Sequence, residues 1–416
     1  MTSKNTVSRI ALSVALALGM AGAATVVTTP VAVMAADAKK PTVSPAVGRP
    51  AQEAQKLLTE NKPKEAAAKA QEALVAAKNP YEILISNQLL ANASLKAGDY
   101  ATGAKALDAM IASGQLPDAT PVRKTLVQLY YQTKNYTKTI EVATAYLKDQ
   151  PNDTEIPVLV AQSYYLTNDY TKASAGLRAV VRASDAAGRP VKEETLSLLM
   201  ASDYALKNDD AVRGDLEMLV ARYPKPQYTK DLISMYEKSL RAASSATKTS
   251  LDVYLIKFNT GLLTKPEDYT GMTELALQDG MPGLAKKVMD KGVADGVLGQ
   301  GAQKDRENRM LNLATTQAAA DQKTLAAGEA EAAKAKTGDA LVKTGEAYWS
   351  YGMFDKAIAA TEAGIAKGVT DADDAKLRLG IAYLGAGQRP KALEAWKGIT
   401  PGSVPGQLAA LWRIQK

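Results

Sequence analysis

Apolar and small side chains recur along this chain at steps of three and four, and the pattern restarts about every 34 residues. One run reads Leu126, Val127, Tyr130, then Thr139, Ala143 and Tyr146. A second reads Val160, Ala161, Tyr164, Ala173, Leu177 and Val180. Towards the C-terminus come Thr344, Gly345, Tyr348, Ala357, Thr361, Gly364, and then Leu379, Gly380, Tyr383, Ala392, Trp396, Ile399. Steps of three and four place side chains on one face of a helix. The gap after each tyrosine spans a helix end, a tight turn and the start of a second helix. The turns, Thr133-Lys134-Asn135-Tyr136, Thr167-Asn168-Asp169-Tyr170, Gly352-Met353-Phe354-Asp355 and Gly387-Gln388-Arg389-Pro390, carry the Asn, Asp and Gly that cap and break helices. Pro390 suits the first turn of a second helix. Small residues on both helices predict a closely packed antiparallel pair.

This pattern resembles the tetratricopeptide repeat, W-x2-L-G-x2-Y…A-x3-F…P. Leu379-Gly380-Ile381-Ala382-Tyr383 with Ala392 and Trp396 is the nearest match; Gly345-Glu346-Ala347-Tyr348 with Ala357 follows, and Pro151 keeps the closing proline of the Tyr130 copy. The resemblance implies an all-α fold, a right-handed α-solenoid of stacked antiparallel helix pairs, here in two blocks meeting near Leu262–Pro266. Copies around Ala91–Tyr100 and Ala201–Asp210 are degenerate. Pro226–Leu262, Pro266–Gly292 and the Ala-rich Gln303–Lys336 read as helix pairs with little of the signature. The expected organisation is an array over 50–262, degenerate repeats over 263–336, and a C-terminal pair over 337–416. Trp396 reads as core, and Gln407–Ile414, with Trp412, reads as a cap. No alternating β-branched run predicts a sheet.

Ahead of the first copy, Lys4 and Arg9 precede an apolar run, Ile10–Ala24, that leads to Val33-Met34-Ala35-Ala36. This is the layout of a secretory signal peptide over 1–36. The run is broken by Ser13, Gly19 and Gly22 and is shorter than the ~20 residues that span a bilayer, which argues against a retained anchor. Residues 37–49 read as a flexible linker. The expectation is an exported protein of the bacterial periplasm.

Composition removes much chemistry. There is no Cys and no His, so thiol nucleophiles, disulfides, His-ligated metals and the commonest general base are absent. The net charge of +7 is interleaved with acids, and no basic stripe with stacking aromatics indicates nucleic acid. Ser245-Ala246-Thr247-Lys248, Lys336-Thr337-Gly338 and Lys343-Thr344-Gly345 match penicillin-binding motifs without the strand those need. Gly296–Gly301 lacks the Lys and Ser/Thr of a phosphate loop. Asp371–Asp374 reads as a helix start rather than a calcium loop. Glu193-Glu194 and Asp209-Asp210 are adjacent, so their carboxylates diverge. No catalytic residue, metal or cofactor is assigned.

What remains is display of a surface. In tetratricopeptide arrays the first helix of each pair lines the concave face. Carried onto this sequence, that row contains Asn92, Lys124, Gln128, Gln162 and Ser202, with Tyr131, Tyr165 and Trp349 beside the anchors. Amides that both donate and accept, with flanking tyrosines, suit an extended peptide. Lys124 is the one cation in the row, too few for a carboxylate clamp. The expected function is a scaffold for other envelope proteins, not an enzyme. A binder of envelope polysaccharide or peptidoglycan is the alternative, and a helical-toroid enzyme ranks below both.

Overall fold

The computed structural model describes residues 43–244 and 247–414. The leader predicted over 1–36 and residues 37–42 of the predicted linker lie outside the described residues. Within them the chain forms twenty α-helices and no strand. It divides into two compact units, up to Asp215 and from Leu216 onward, earlier than the expected boundary at 262–266.

Unit 1 runs through α1 (Pro45–Thr59), α2 (Pro63–Ala76), α3 (Pro80–Lys96), α4 (Tyr100–Ala112), α5 (Thr120–Gln132), α6 (Tyr136–Asp149), α7 (Ile156–Leu166), α8 (Tyr170–Ala186) and α9 (Glu193–Ala205) into α10 (Asp209–Arg222). The first helix starts at Pro45, inside the stretch read as a linker. Val47, Ala51 and Ala54 bury one face of it, and Glu82 of α3 accepts the Ser44 N–H at 2.8 Å. Consecutive helices pack as pairs. In addition α1 meets α3, α5 meets α7 and α7 meets α9, so the first helices of the pairs lie side by side. The turns of the four pairs from α3 to α10 repeat one device. Asp99, Asn135, Asp169 and Asn208 accept the backbone N–H three residues on, capping the second helix. Two residues before that helix the chain turns left-handed, at Gly98, Lys134, Asn168 and Lys207. At Lys134 and Lys207 this conformation costs about 1 kcal/mol that glycine escapes.

Unit 2 contains α11 (Pro226–Ala243), α12 (Thr247–Asn259), α13 (Pro266–Gln278), α14 (Pro282–Ala294), α15 (Lys304–Lys334), α16 (Asp339–Ser350), α17 (Phe354–Lys367), α18 (Ala372–Gly385), α19 (Arg389–Lys397) and α20 (Val404–Arg413). The Ala-rich stretch expected to be a pair is the single uninterrupted helix α15. Its Ala, Glu, Lys and Gln favour helix throughout, and Gly328 alone is too weak to end it. Along α15, Ala314, Ala318, Leu325 and Ala332 mark a narrow buried seam. The last helix does more than cap. Buried Leu408, Leu411 and Trp412 lie on α20, which packs against α18 and returns to α11 and α12. Unit 2 is thus a closed circuit of helices.

The small residue after each motif apolar position has a direct cause. A Cβ on Gly380 would overlap the indole of Trp396, which is fully buried and donates its N–H to the Leu377 carbonyl at 3.2 Å. A Cβ on Gly345 would overlap Thr361 Oγ1. Gly380→Ala is expected to lower stability by about 2 kcal/mol, because the ring has no room to move. Urea denaturation followed by tryptophan emission measures this, since Trp349, Trp396 and Trp412 all lie in unit 2.

The motif tyrosines are more than packing. Tyr130, Tyr348 and Tyr383 each donate a hydroxyl hydrogen to a carboxylate on the preceding helix: Asp108, Glu329 and Glu362. Lys356 and Lys391 lie over the rings of Tyr348 and Tyr383 at 5.3 and 5.4 Å. At Tyr348 and Tyr383 a lysine above and a carboxylate at the tip tie the helix to the one before it.

Candidate functional site

In unit 1 the predicted row falls on the first helices of successive pairs, and its members differ in what they expose. Gln128 is exposed on α5, and Asn92 on α3 is partly covered. Tyr131 and Tyr165 are half-buried, each meeting the tyrosine that opens the next helix edge to face: Tyr136 at 5.7 Å and Tyr170 at 5.3 Å. Burial raises the pKa of both Tyr131 and Tyr165, so their hydroxyls stay protonated. Tyr100 and Tyr204 stand beside equivalent turns of other pairs, 38% and 42% exposed. Tyr131, Tyr165 and Tyr204 thus lie in the last turns of first helices, and Tyr100 opens the second helix of its pair.

Two predicted members do not belong. Ser202 is fully buried and its hydroxyl donates to the Leu198 carbonyl at 2.8 Å. Gln162 is buried on α7. Gln162 lies on α7, which is flanked by α5 and α9 as well as by its own partner, and Ser202 directly precedes Asp203, which stands four residues before left-handed Lys207 as Tyr130 and Tyr164 stand before Lys134 and Asn168, so an offset counted from Tyr204 is one place out. Lys124 is committed elsewhere: its ammonium donates to Asp153 at 2.8 Å, and Tyr146 donates to the same carboxylate at 2.8 Å. Burial acts to raise the Asp153 pKa, but the Ile156 N–H, Lys124 and Tyr146 together hold it well below the usual range. Lys124 therefore ties α5 to the loop after α6 rather than clamping a ligand.

A second polar centre in unit 1 was not foreseen. Arg178 of α8 pairs with Asp203 of α9 and reaches Asp215 of α10 at 3.2 Å, while Ser174 donates to Asp203 at 2.6 Å. Asp215 is fully buried and neither of its oxygens accepts a hydrogen bond. Burial, then the neighbouring Asp203, push its carboxyl up to about 8, against the pull of Arg178. A protonated Asp215 can donate to Asp203, so the two acids share one guanidinium. The folded pKa lies above the unfolded value of 3.8, so the fold holds this proton between about pH 4 and 8 and loses stability as pH rises through that window. Asp215→Asn replaces the carboxyl with an amide that carries no charge at any pH. It is expected to raise the melting temperature by roughly 5 °C at pH 8 and to leave it unchanged at pH 4, measured by calorimetry.

In unit 2 the inner helices converge on Arg378 of α18, itself only 8% exposed. Its guanidinium holds both oxygens of Asp252 on α12, Glu346 Oε1 on α16 at 2.9 Å, and Asp374 Oδ1 at 2.9 Å. Lys248 bridges Glu346 at 3.2 Å and Asp374 at 2.8 Å, and Lys343 pairs with Asp279 at 2.7 Å. Burial drives the Asp252 pKa up while Arg378 opposes it; the two-pronged contact is that of an ionised carboxylate. Beside this network lies a small, partly open space of about 30 Å³ whose lining includes Asp252, Glu346 and Arg378 together with Leu251, Leu284 and Ile381. Trp349 also lines it, with Lys287 over its ring at 5.9 Å. Trp349 therefore belongs to the interior of unit 2 rather than to an open row. Sequence inspection missed this network because Asp252 and Arg378 are 126 residues apart. The available signal was charge at helix positions where an inner face calls for apolar side chains.

No helix of the described residues is long and apolar enough to cross a membrane. No protein-family model and no curated protein matches the chain. Solved structures do. A tetratricopeptide repeat protein from Parabacteroides merdae is 10% identical, with 82% of this chain and 99% of that one covered, at a TM-score of 0.32. The Naa15/Naa10 complex bound to HypK-THB is 16% identical over 84% of this chain and 57% of that one, at 0.33. A MamA RS-1 double mutant is 15% identical over 42% of this chain and 92% of that one, at 0.30. This chain thus spans little more than half of the Naa15/Naa10 chain it matches. With identities and scores this low, the fold assignment stands on the chain's own geometry. Paired helices, the tyrosine and small-residue register and the close contacts at Gly345 and Gly380 make the fold tetratricopeptide-like.

Proposed function

We propose that this protein is a non-enzymatic scaffold, exported to the bacterial cell envelope, that captures an extended segment of another protein on the first helices of unit 1. The observation that carries this reading is the recurrence of partly exposed tyrosines at the turns within pairs, Tyr131, Tyr165 and Tyr204 closing first helices and Tyr100 opening a second, with Gln128 exposed on α5. Such a surface offers flat apolar area with hydroxyl tips and an amide that pairs with peptide backbone. It is built on helices fixed by caps and tyrosine–carboxylate bonds, so a ligand meets it preformed. Polysaccharide fits less well. The Tyr131 and Tyr165 rings each lie against a neighbouring ring, and Trp349 is turned inward, so few open stacking platforms remain.

The test is crosslinking in cells from a photoreactive residue at position 128, with identification of the captured polypeptide. Gln128→Ala combined with Tyr165→Ser is expected to reduce capture about tenfold and to leave far-UV circular dichroism unchanged, a loss of about 1.4 kcal/mol. Equal capture by the variant would remove the groove, and capture of glycan in place of protein would favour the polysaccharide reading.

A further inference from the structure

We infer that the Arg178–Asp203–Asp215 centre is a proton-operated latch: while it holds one proton it keeps the start of α10 on α8 and α9, and rising pH releases that start locally while the rest of unit 1 stays folded. The rungs between successive pairs show what is unusual here. At two of them a tyrosine four residues before a left-handed turn donates to a carboxylate ten residues after the left-handed turn of the preceding pair: Tyr130 to Asp108, and Tyr383 to Glu362. The same two positions between α8 and α9 are taken by Asp203 and Arg178. A neutral donor on a carboxylate has become an ion pair, and the acid has changed sides.

That rung is complete by itself. Ser174 donates to Asp203 Oδ1 at 2.6 Å, and Arg178 Nη2 donates to Oδ2. Asp215 is then a surplus acid. It lies on the inner face of α10 between Val212 and Leu219, both buried, where the seam calls for an apolar side chain. Both of its oxygens are closed to solvent and accept no hydrogen bond, and the cation within reach is the same Arg178 Nη2 at 3.2 Å. The nearest charged side chains of α10 are engaged elsewhere: Arg213 with Asp210 at 2.5 Å, and Glu217 with the Tyr236 hydroxyl. The groups of α8 and α9 that bear on Asp215 are therefore Arg178 and Asp203. Two ionised carboxylates would leave one buried negative charge against a single guanidinium, so the closed form keeps a proton on the pair. Burial, then Asp203, push the Asp215 carboxyl up to about 8.

Once the start of α10 lifts away, Asp215 meets water and titrates near its unfolded 3.8. The closed form thus binds one more proton than the open form between about pH 4 and 8, and rising pH favours opening. The opening is local because little holds this stretch. From Asp209 to Asp215 the buried residues are Val212 and Asp215 alone. Gly214 has open space where a side chain would stand, so packing does not require it, and glycine loosens a helix. Segments with few buried contacts are the ones that open below the global unfolding free energy.

The test is hydrogen exchange of the full-length protein at pH 7 and pH 9, with rates divided by intrinsic rates to give protection. It reads exchange rather than partner capture, so its outcome is independent of the groove. Protection of amides 211–215 is expected to fall about tenfold between the two pH values, the loss of one proton with a midpoint near 8. Amides of α5 and α6 should change less than twofold. Asp215→Asn should flatten the response at 211–215. Asp215→Leu should do the same, leaves Asp203 and Arg178 as a matched pair, and serves if the amide variant does not fold. A ¹³C titration of the parent should place the Asp215 carboxyl midpoint near 8. Equal protection of 211–215 at both pH values, an equal fall in α5 and α6, a response that survives in Asp215→Leu, or a carboxyl midpoint below 6 would each overturn the latch.

Discussion

Arg378→Met should destabilise unit 2 by about 3–5 kcal/mol at neutral pH, the largest effect expected from a single side chain in this protein. Asp252 is 3% exposed, and the guanidinium takes both of its oxygens. Methionine fills the volume but leaves that carboxylate buried and alone. Glu346 and Asp374 keep Lys248, so most of the loss falls on Asp252. The fold then accommodates Asp252 only when it is protonated, so its folded pKa rises far above the unfolded 3.8. The penalty is absent below about pH 4 and grows as pH rises. Urea denaturation followed by tryptophan emission at pH 4 and pH 7 measures both. A deficit that does not shrink at pH 4 would show that Arg378 acts by packing. The double variant Arg378→Met/Asp252→Leu should recover much of the loss, because well-packed apolar groups often match a buried ion pair.

The helix pairs themselves were legible in the sequence, and Arg378 shows where legibility stops. Spacing along one helix is a local property, so Tyr130, Tyr164, Tyr348 and Tyr383 announced their pairs and turns. The Ala-rich stretch was locally helical but gave no count of helices, because α15 lacks the break that would have divided it. The helix from Pro45 was hidden by a Pro-rich beginning, and what holds it, Glu82, lies on another helix. Site positions suffered for the same reason. An offset from the anchor tyrosine gives the helix face; the neighbouring helices then decide whether that face is open, as at Gln128, or closed, as at Ser202.

Ala173→Glu should unfold the middle of unit 1, at a cost of more than about 3 kcal/mol. Ala173 opens the buried face of α8, is fully buried, and sits at the position where the motif requires a small residue. A glutamate there places a charge in the seam with no cation assigned to it, and the side chain exceeds the space alanine leaves. Arg178 cannot answer it without leaving Asp203 and Asp215. Ala175, exposed two residues away, is the control: Ala175→Glu should stay within about 0.5 kcal/mol of the parent. Far-UV circular dichroism against urea reads the difference. A similar small change in both variants would show that α8 is free to rotate, and would undo the seam as described.

The return of α20 to α11 and α12 bears on how such a unit changes over evolutionary time. A linear array lengthens by duplicating a segment and appending the copy, since each member needs only its neighbours. A circuit has no vacancy for an extra member: an inserted pair would push the last helix off the first and uncover Trp412. Unit 2 therefore diversifies by substitution within a fixed number of helices. Its beginning and end lie against each other, so relocating the cut between them to another surface turn preserves every neighbour.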